Sequence, residues 1–154
     1  MGFLRVFLAL SILIAAFNVP GCATAGRDYE QASRAGTIPA FEQFVAKHPD
    51  SQYTPAARVK LAAMRADKAW KRATRAGDIG AYEAFLDEHG KSTHAPEARQ
   101  RLESLKLDRD WGEVRQAGEI AAYEGFLERH SDSKYAEDAR QSLAALRADR
   151  DWTA

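Results

Sequence analysis

Ala122–Arg140 reads A-Y-E-G-F-L-E-R-H-S-D-S-K-Y-A-E-D-A-R, and Ala40–Arg58 reads A-F-E-Q-F-V-A-K-H-P-D-S-Q-Y-T-P-A-A-R. The stretch between them, Ala81–Arg99, carries the same pattern, so the three start at one constant offset, from Ala40 to Ala81 to Ala122. Working outward, the register holds without an insertion. Tyr29, Trp70, Trp111 and Trp152 align, as do Gly36, Gly77 and Gly118, and Leu61, Leu102 and Leu143. The units run over about 27–67, 68–108 and 109–149, and Arg150–Ala154 begin a fourth. A fixed period of this length is the signature of a repeat architecture, in which each unit buries its apolar face against its neighbour.

Within a unit the apolar period is helical. Ile79, Tyr82, Phe85 and Leu86 fall on one face of a short helix. Gly77 suits a left-handed cap on the helix before it, Asp78 an N-cap and Pro96 the first turn of the next helix. Pro96–Ala117 allows one long helix whose apolar stripe changes sides midway, from Ala98, Leu102 and Leu105 to Leu107, Trp111 and Val114. Such a helix serves two layers; a break near Asp108–Asp110 is the competing expectation. The predicted fold class is all-α, a short α-solenoid of three 41-residue helical repeats.

The first residues differ in kind. Arg5 precedes an uncharged run, Val6–Phe17, that is too short for a bilayer: 12 helical residues span about 18 Å against a hydrocarbon core of about 30 Å. A signal-peptide core fits this length. Val19-Pro20-Gly21-Cys22 resembles the bacterial lipobox. The resemblance implies acylation of the sole cysteine, cleavage before it, residues 1–21 as signal peptide and 22–26 as a lipid-anchored linker. Ala23 after the cysteine implies sorting to the outer membrane. Ala23-Thr24-Ala25 offers another cleavage site, releasing a soluble form, and an uncleaved anchor is the third option.

The repeat units of residues 27–154 resemble the tetratricopeptide-type helical repeats of bacterial outer-membrane lipoproteins, those of β-barrel assembly and of the Tol-Pal system. The resemblance rests on F-V-A-K-H-P-D-S-Q-Y-T-P-A-A-R, Phe44–Arg58, and on Ala122–Arg140. It implies an α-solenoid and protein binding rather than one named partner. The period, Ala40 to Ala81 to Ala122, is longer than that of the standard tetratricopeptide repeat.

Lysine plus arginine and aspartate plus glutamate stand at 22 each, which argues against a nucleic-acid partner. One cysteine allows neither a disulfide framework nor a cysteine-rich zinc site. His48, His89 and His130 recur one per layer at helix C-termini, where they suit end carbonyls rather than a metal. Glu42, Glu83 and Glu124, Arg58, Arg99 and Arg140, and Ser51, Ser92 and Ser133 also recur, whereas catalysis needs different residues converging on one locus.

No enzyme, cofactor, metal or small-molecule substrate is expected. The candidate functional residues are Cys22 for lipidation and Trp152, His94 and Lys91 for an interface. His94 and Lys91 are singled out because they replace the tyrosine and aspartate of the sibling loops. The expected function is that of a membrane-anchored periplasmic helical-repeat protein mediating protein–protein interaction in the bacterial cell envelope. A structural spacer or self-associating element is the alternative.

Overall fold

The computed structural model describes residues 21–153, with side chains from 24 to 152. The leader up to Pro20 and the side chain of Cys22 lie outside the described residues. The fold class is all-α, with seven helices among the described residues. They are α1 (Gly21–Ala35), α2 (Ile38–Lys47), α3 (Thr54–Ala76), α4 (Ile79–His89), α5 (Ala95–Ala117), α6 (Ile120–Arg129) and α7 (Ala136–Thr153). Because α1 begins at Gly21, residues 22–26, expected as a linker, are helical, and the Ala25 side chain is buried.

The punctuation follows local chemistry. Gly36, Gly77 and Gly118 adopt φ of 59°, 68° and 63°, a left-handed turn that a side chain would strain. Asp78 Oδ1 accepts the Ala81 N–H at 2.8 Å, closing one of the open donors at the start of α4. Pro96 sits in the first turn of α5. Each short-to-long helix loop is closed by the same two backbone bonds. Ser51, Ser92 and Ser133 each donate N–H to the histidine carbonyl three residues earlier, and each carbonyl accepts the N–H of the residue three later. Helix α5 is unbroken from Ala95 to Ala117, so no break occurs near Asp108–Asp110.

The chain divides into two compact units, one up to Leu61 and one from Ala62 onward. In the first, α1 packs on α2, with Tyr29 edge-on to Phe41 and Phe44. In the second, α4 packs on α5, α5 on α6 and α6 on α7. Its core has two parts. One joins Ala73, Tyr82, Phe85, Ala98 and Leu102; the other joins Trp111, Val114, Tyr123, Phe126, Ala139 and Leu143. The two sides of α5 therefore belong to two clusters, Leu102 to one and Trp111 to the next, as its stripe of two phases requires.

Candidate functional site

The recurring aromatic residues build recurring stacks. Trp111 stacks on Tyr135 at 5.2 Å between ring centroids and 12° between planes, and the Tyr135 hydroxyl donates to Asp108 at 2.8 Å. One repeat earlier, Trp70 stacks on His94 at 5.2 Å and 9°, and His94 Nε2 lies 2.7 Å from Asp67. The imidazole thus takes both roles of the tyrosine: a flat partner for the indole and a polar tip that reaches a carboxylate 27 residues upstream. In the first unit Tyr29 stacks on Tyr53 in the same way. Its hydroxyl lies against Gly26, which stands where the other repeats have aspartate.

His48 and His130 close the ends of α2 and α6 through their backbone N–H groups, on the Phe44 and Phe126 carbonyls, and their rings pair with carboxylates. His48 Nε2 lies 2.7 Å from Asp28, and His130 Nε2 lies 3.3 Å from Asp110. Each aspartate also meets cations. Lys47 first, then His48, hold the Asp28 carboxyl below its ordinary range; Arg109 first, then His130, do so for Asp110 against the opposing effect of burial. Lys134 and Tyr135 lower Asp108 in the same direction. The middle repeat breaks the pattern, because position 69 is Ala69 and the cation's place is taken by Glu88. His89 is left with Glu88 at 3.7 Å.

The grooves repeat as well. One lies in the second unit, walled by Ala62, Ala63 and Ala66 of α3, by Leu86–His89 of α4, by the loop Gly90–Thr93 and by Arg99 of α5. The next is its counterpart one repeat on, walled by Glu103, Ser104 and Leu107 of α5, Arg129, the loop His130–Lys134 and Lys106. The first encloses about 760 Å³ and the second about 440 Å³. Three alanines stand where the second has glutamate, serine and leucine. Leu107 there packs against the cluster around Trp111, whereas Ala66 is buried and the exposed alanines of the first groove are Ala62 and Ala63.

The loop walls differ too. Helix α4 continues one residue further than α2 and α6, through His89, and the loop turns at Gly90, where a Cβ would stand 2.5 Å from the Leu86 carbonyl oxygen. Arg99 donates to the Gly90 carbonyl at 2.8 Å, as Arg140 does to Ser131 at 2.8 Å. Arg140 also has Glu137 at 3.7 Å, whereas Pro96 takes the place of that glutamate beside Arg99. Lys91 replaces Asp132. Among the described residues, neither Lys91 nor Arg99 has a carboxylate within ion-pair distance. The Ser92 hydroxyl oxygen in the same groove is buried and unpartnered, as is that of Ser133 in its counterpart.

Of the candidate residues, His94 and Lys91 share the α4–α5 loop: Lys91 is exposed on the groove and His94 is half-buried against Trp70. Trp152, on α7, is 91% exposed, and Cys22 lies in the first turn of α1. Sequence reasoning missed the α3 wall of the groove. The signal was faint, because Ala25, Ala66 and Ala148 share one register position and only Leu107 departs from it. Among the described residues no three His, Cys, Asp or Glu side chains converge as metal ligands would, and no helix is long and apolar enough to cross a membrane. Comparison with protein-family models, curated proteins and solved structures finds no match.

Proposed function

We propose that this chain is a lipid-anchored helical-repeat protein of the bacterial cell envelope, built as a three-unit α-solenoid of tetratricopeptide-like repeats, that binds a protein partner on the periplasmic side, with Cys22 acylated. The observation that carries the binding role is the widened groove at Ala62–Arg99. Its plan recurs one repeat later, but α3 lines it with Ala62, Ala63 and Ala66 where α5 has Glu103, Ser104 and Leu107, and among the described residues Lys91 of its loop and Arg99 of α5 have no carboxylate within ion-pair distance.

Crosslinking in native envelopes followed by capture of the chain tests this reading. One defined partner is expected, released from the Lys91→Asp variant; recovery of no partner above background defeats it. Labelled palmitate tests the anchor separately: label is expected in wild type and lost in Cys22→Ser, and equal label in both defeats it. A second reading, self-association, rests on the 91% exposure of Trp152, since a large exposed aromatic side chain favours burial against another surface. Sedimentation decides it: a concentration-dependent dimer weakened by Trp152→Ala supports self-association, and a monomer at all concentrations excludes it.

A further inference from the structure

We infer that the end of α7 docks a short amphipathic helix of a partner protein, one patterned like Phe41, Phe44, Lys47 and His48 of α2 or Tyr123, Phe126, Arg129 and His130 of α6. This surface shares no residue with the groove above. Helices α5 and α7 carry the same half of a layer. Arg109-Asp110-Trp111 and Arg150-Asp151-Trp152 share one register, and arginine and aspartate pair alike, at 2.9 Å in α5 and 3.1 Å in α7. Their cover differs. Trp111 is 7% exposed, with Tyr123 and Phe126 of α6 at 6.1 and 5.3 Å between ring centroids, whereas Trp152 is 91% exposed. Asp110 also meets His130 at 3.3 Å and Arg129 at 3.8 Å from α6, whereas Asp151 is exposed beside Arg150. Ala148, one turn before Trp152, is exposed where Ala25 and Ala66 of the same register are buried.

The covered layers define what such a surface takes. Within the first unit Tyr29 meets Phe41 and Phe44, and Asp28 meets Lys47 and His48, both at 2.7 Å. Within the second, the end of α5 meets the same set from α6. The end of α3 has Ala69 in place of the aspartate, and the helix on it has Glu88 in place of the cation, while Trp70 still meets Tyr82 and Phe85. The aspartate therefore goes with a cation beside the histidine of the covering helix, and the aromatic residue goes with its phenylalanine in every case. The end of α7 has both Asp151 and Trp152, so its occupant needs both answers: aromatic rings over the indole, and Lys-His or Arg-His against the carboxylate. A second copy has no bare helix of this kind to give, because α2, α4 and α6 each pack on other helices of their own chain.

The probe is a fluorescein-labelled peptide of residues 119–143, the stretch that holds α6, its loop and the first turns of α7. It is titrated with the full chain in detergent and read by anisotropy. Saturable binding is expected, weakened about tenfold or more by Trp152→Ala in the chain or Phe126→Ala in the peptide. Asp151→Asn in the chain and His130→Ala in the peptide should each weaken it about threefold or more, and together by no more than the larger single loss, because both remove one contact. Trp152 and Asp151 are exposed at the end of α7, so neither variant touches the core. Absence of saturable binding, equal binding to wild type and Trp152→Ala, or fully additive losses overturns the inference. So does a concentration-dependent dimer of the full chain that Trp152→Ala dissociates, which gives the surface to a second copy. The groove keeps its own test, release of the envelope partner from Lys91→Asp, and stands or falls apart from this result.

Discussion

The groove at Ala62–Arg99 and the groove at Glu103–Lys134 share a plan but differ in content. Both have a long helix on one side, a short helix and its serine-closed loop on the other, and an arginine tied to a loop carbonyl. In one, α5 lines the space with leucine and glutamate and about 440 Å³ remains; in the other, α3 lines it with alanine and the volume is about 760 Å³. The contrast shows how a repeat can keep its backbone and core while changing only the side chains that project between layers. Packing within a layer depends on Phe85 or Phe126 and their neighbours, which match except for Ala73 against Val114 and His94 against Tyr135. Groove content depends on residues that the core does not need.

The largest effects should fall where the two regions are alike. Phe126→Ala and Phe85→Ala remove side chains at 0% and 3% exposure, and each should cost about 3–5 kcal/mol in denaturant unfolding. A difference of more than about 2 kcal/mol between them would break the equivalence of the two layers. The loops should then part company. Gly90→Ala forces a Cβ against the Leu86 carbonyl and should cost about 1–3 kcal/mol. Ser131→Ala, at the equivalent exposed position, should stay within about 0.5 kcal/mol.

The stacked pairs come next. His94→Ala and Tyr135→Ala each lose a ring stack and a hydrogen bond to aspartate, which should lower stability by about 1–2 kcal/mol. His94→Tyr should stay within about 1 kcal/mol of wild type, because Tyr135 already occupies the equivalent place. A loss from His94→Tyr as large as that from His94→Ala would show that the imidazole does something a phenol cannot.

A smaller gain sharpens the electrostatic contrast. Ala69→Asp combined with Glu88→Lys gives His89 the partners that His48 and His130 have, and should stabilise by about 0.5–1 kcal/mol at neutral pH. Thermal unfolding at low salt reads this directly, and no gain would mean the pairs are screened.

Acidification separates the layers in a related way. The folded carboxyls of Asp28, Asp108 and Asp110 titrate below their unfolded values, chiefly through Lys47, Lys134 and Arg109 respectively. At pH above the unfolded aspartate value, their contribution is therefore present in full. It is lost as pH falls through that value to the lower folded one. The Asp110→Asn variant should show a shallower loss of stability over that acid window than wild type; an unchanged slope would exclude the pairing as a source of acid sensitivity.

The helices and their punctuation were legible in the residues because their causes are local. A left-handed glycine, an aspartate cap and a proline in the first turn act over three or four residues, and Phe85 and Tyr82 mark a buried face through spacing alone. The recurring Glu83 and Glu124 were legible as structural, and they pair with Lys106 at 2.9 Å and Arg147 at 2.7 Å. The histidines were less so. Their position suggested end carbonyls, which the backbone N–H groups of His48 and His130 do meet, but the ring partners lie 20 residues upstream, beyond the reach of any local rule. His94 reads as an open loop substitution in the sequence, whereas in the fold Trp70 and Asp67 hold it from either side.

From residues alone came the all-helical class, the repeat period and the candidate importance of Lys91 and His94. These depend on periodicity and short-range chemistry, which a linear chain displays. The open groove does not follow from any one stretch. It arises because Ala62 and Ala66 of one helix face Leu86, Lys91 and Arg99 of the elements opposite, and empty volume belongs to the meeting of those elements. An alanine in a helix says nothing of a groove until folding places it opposite another wall.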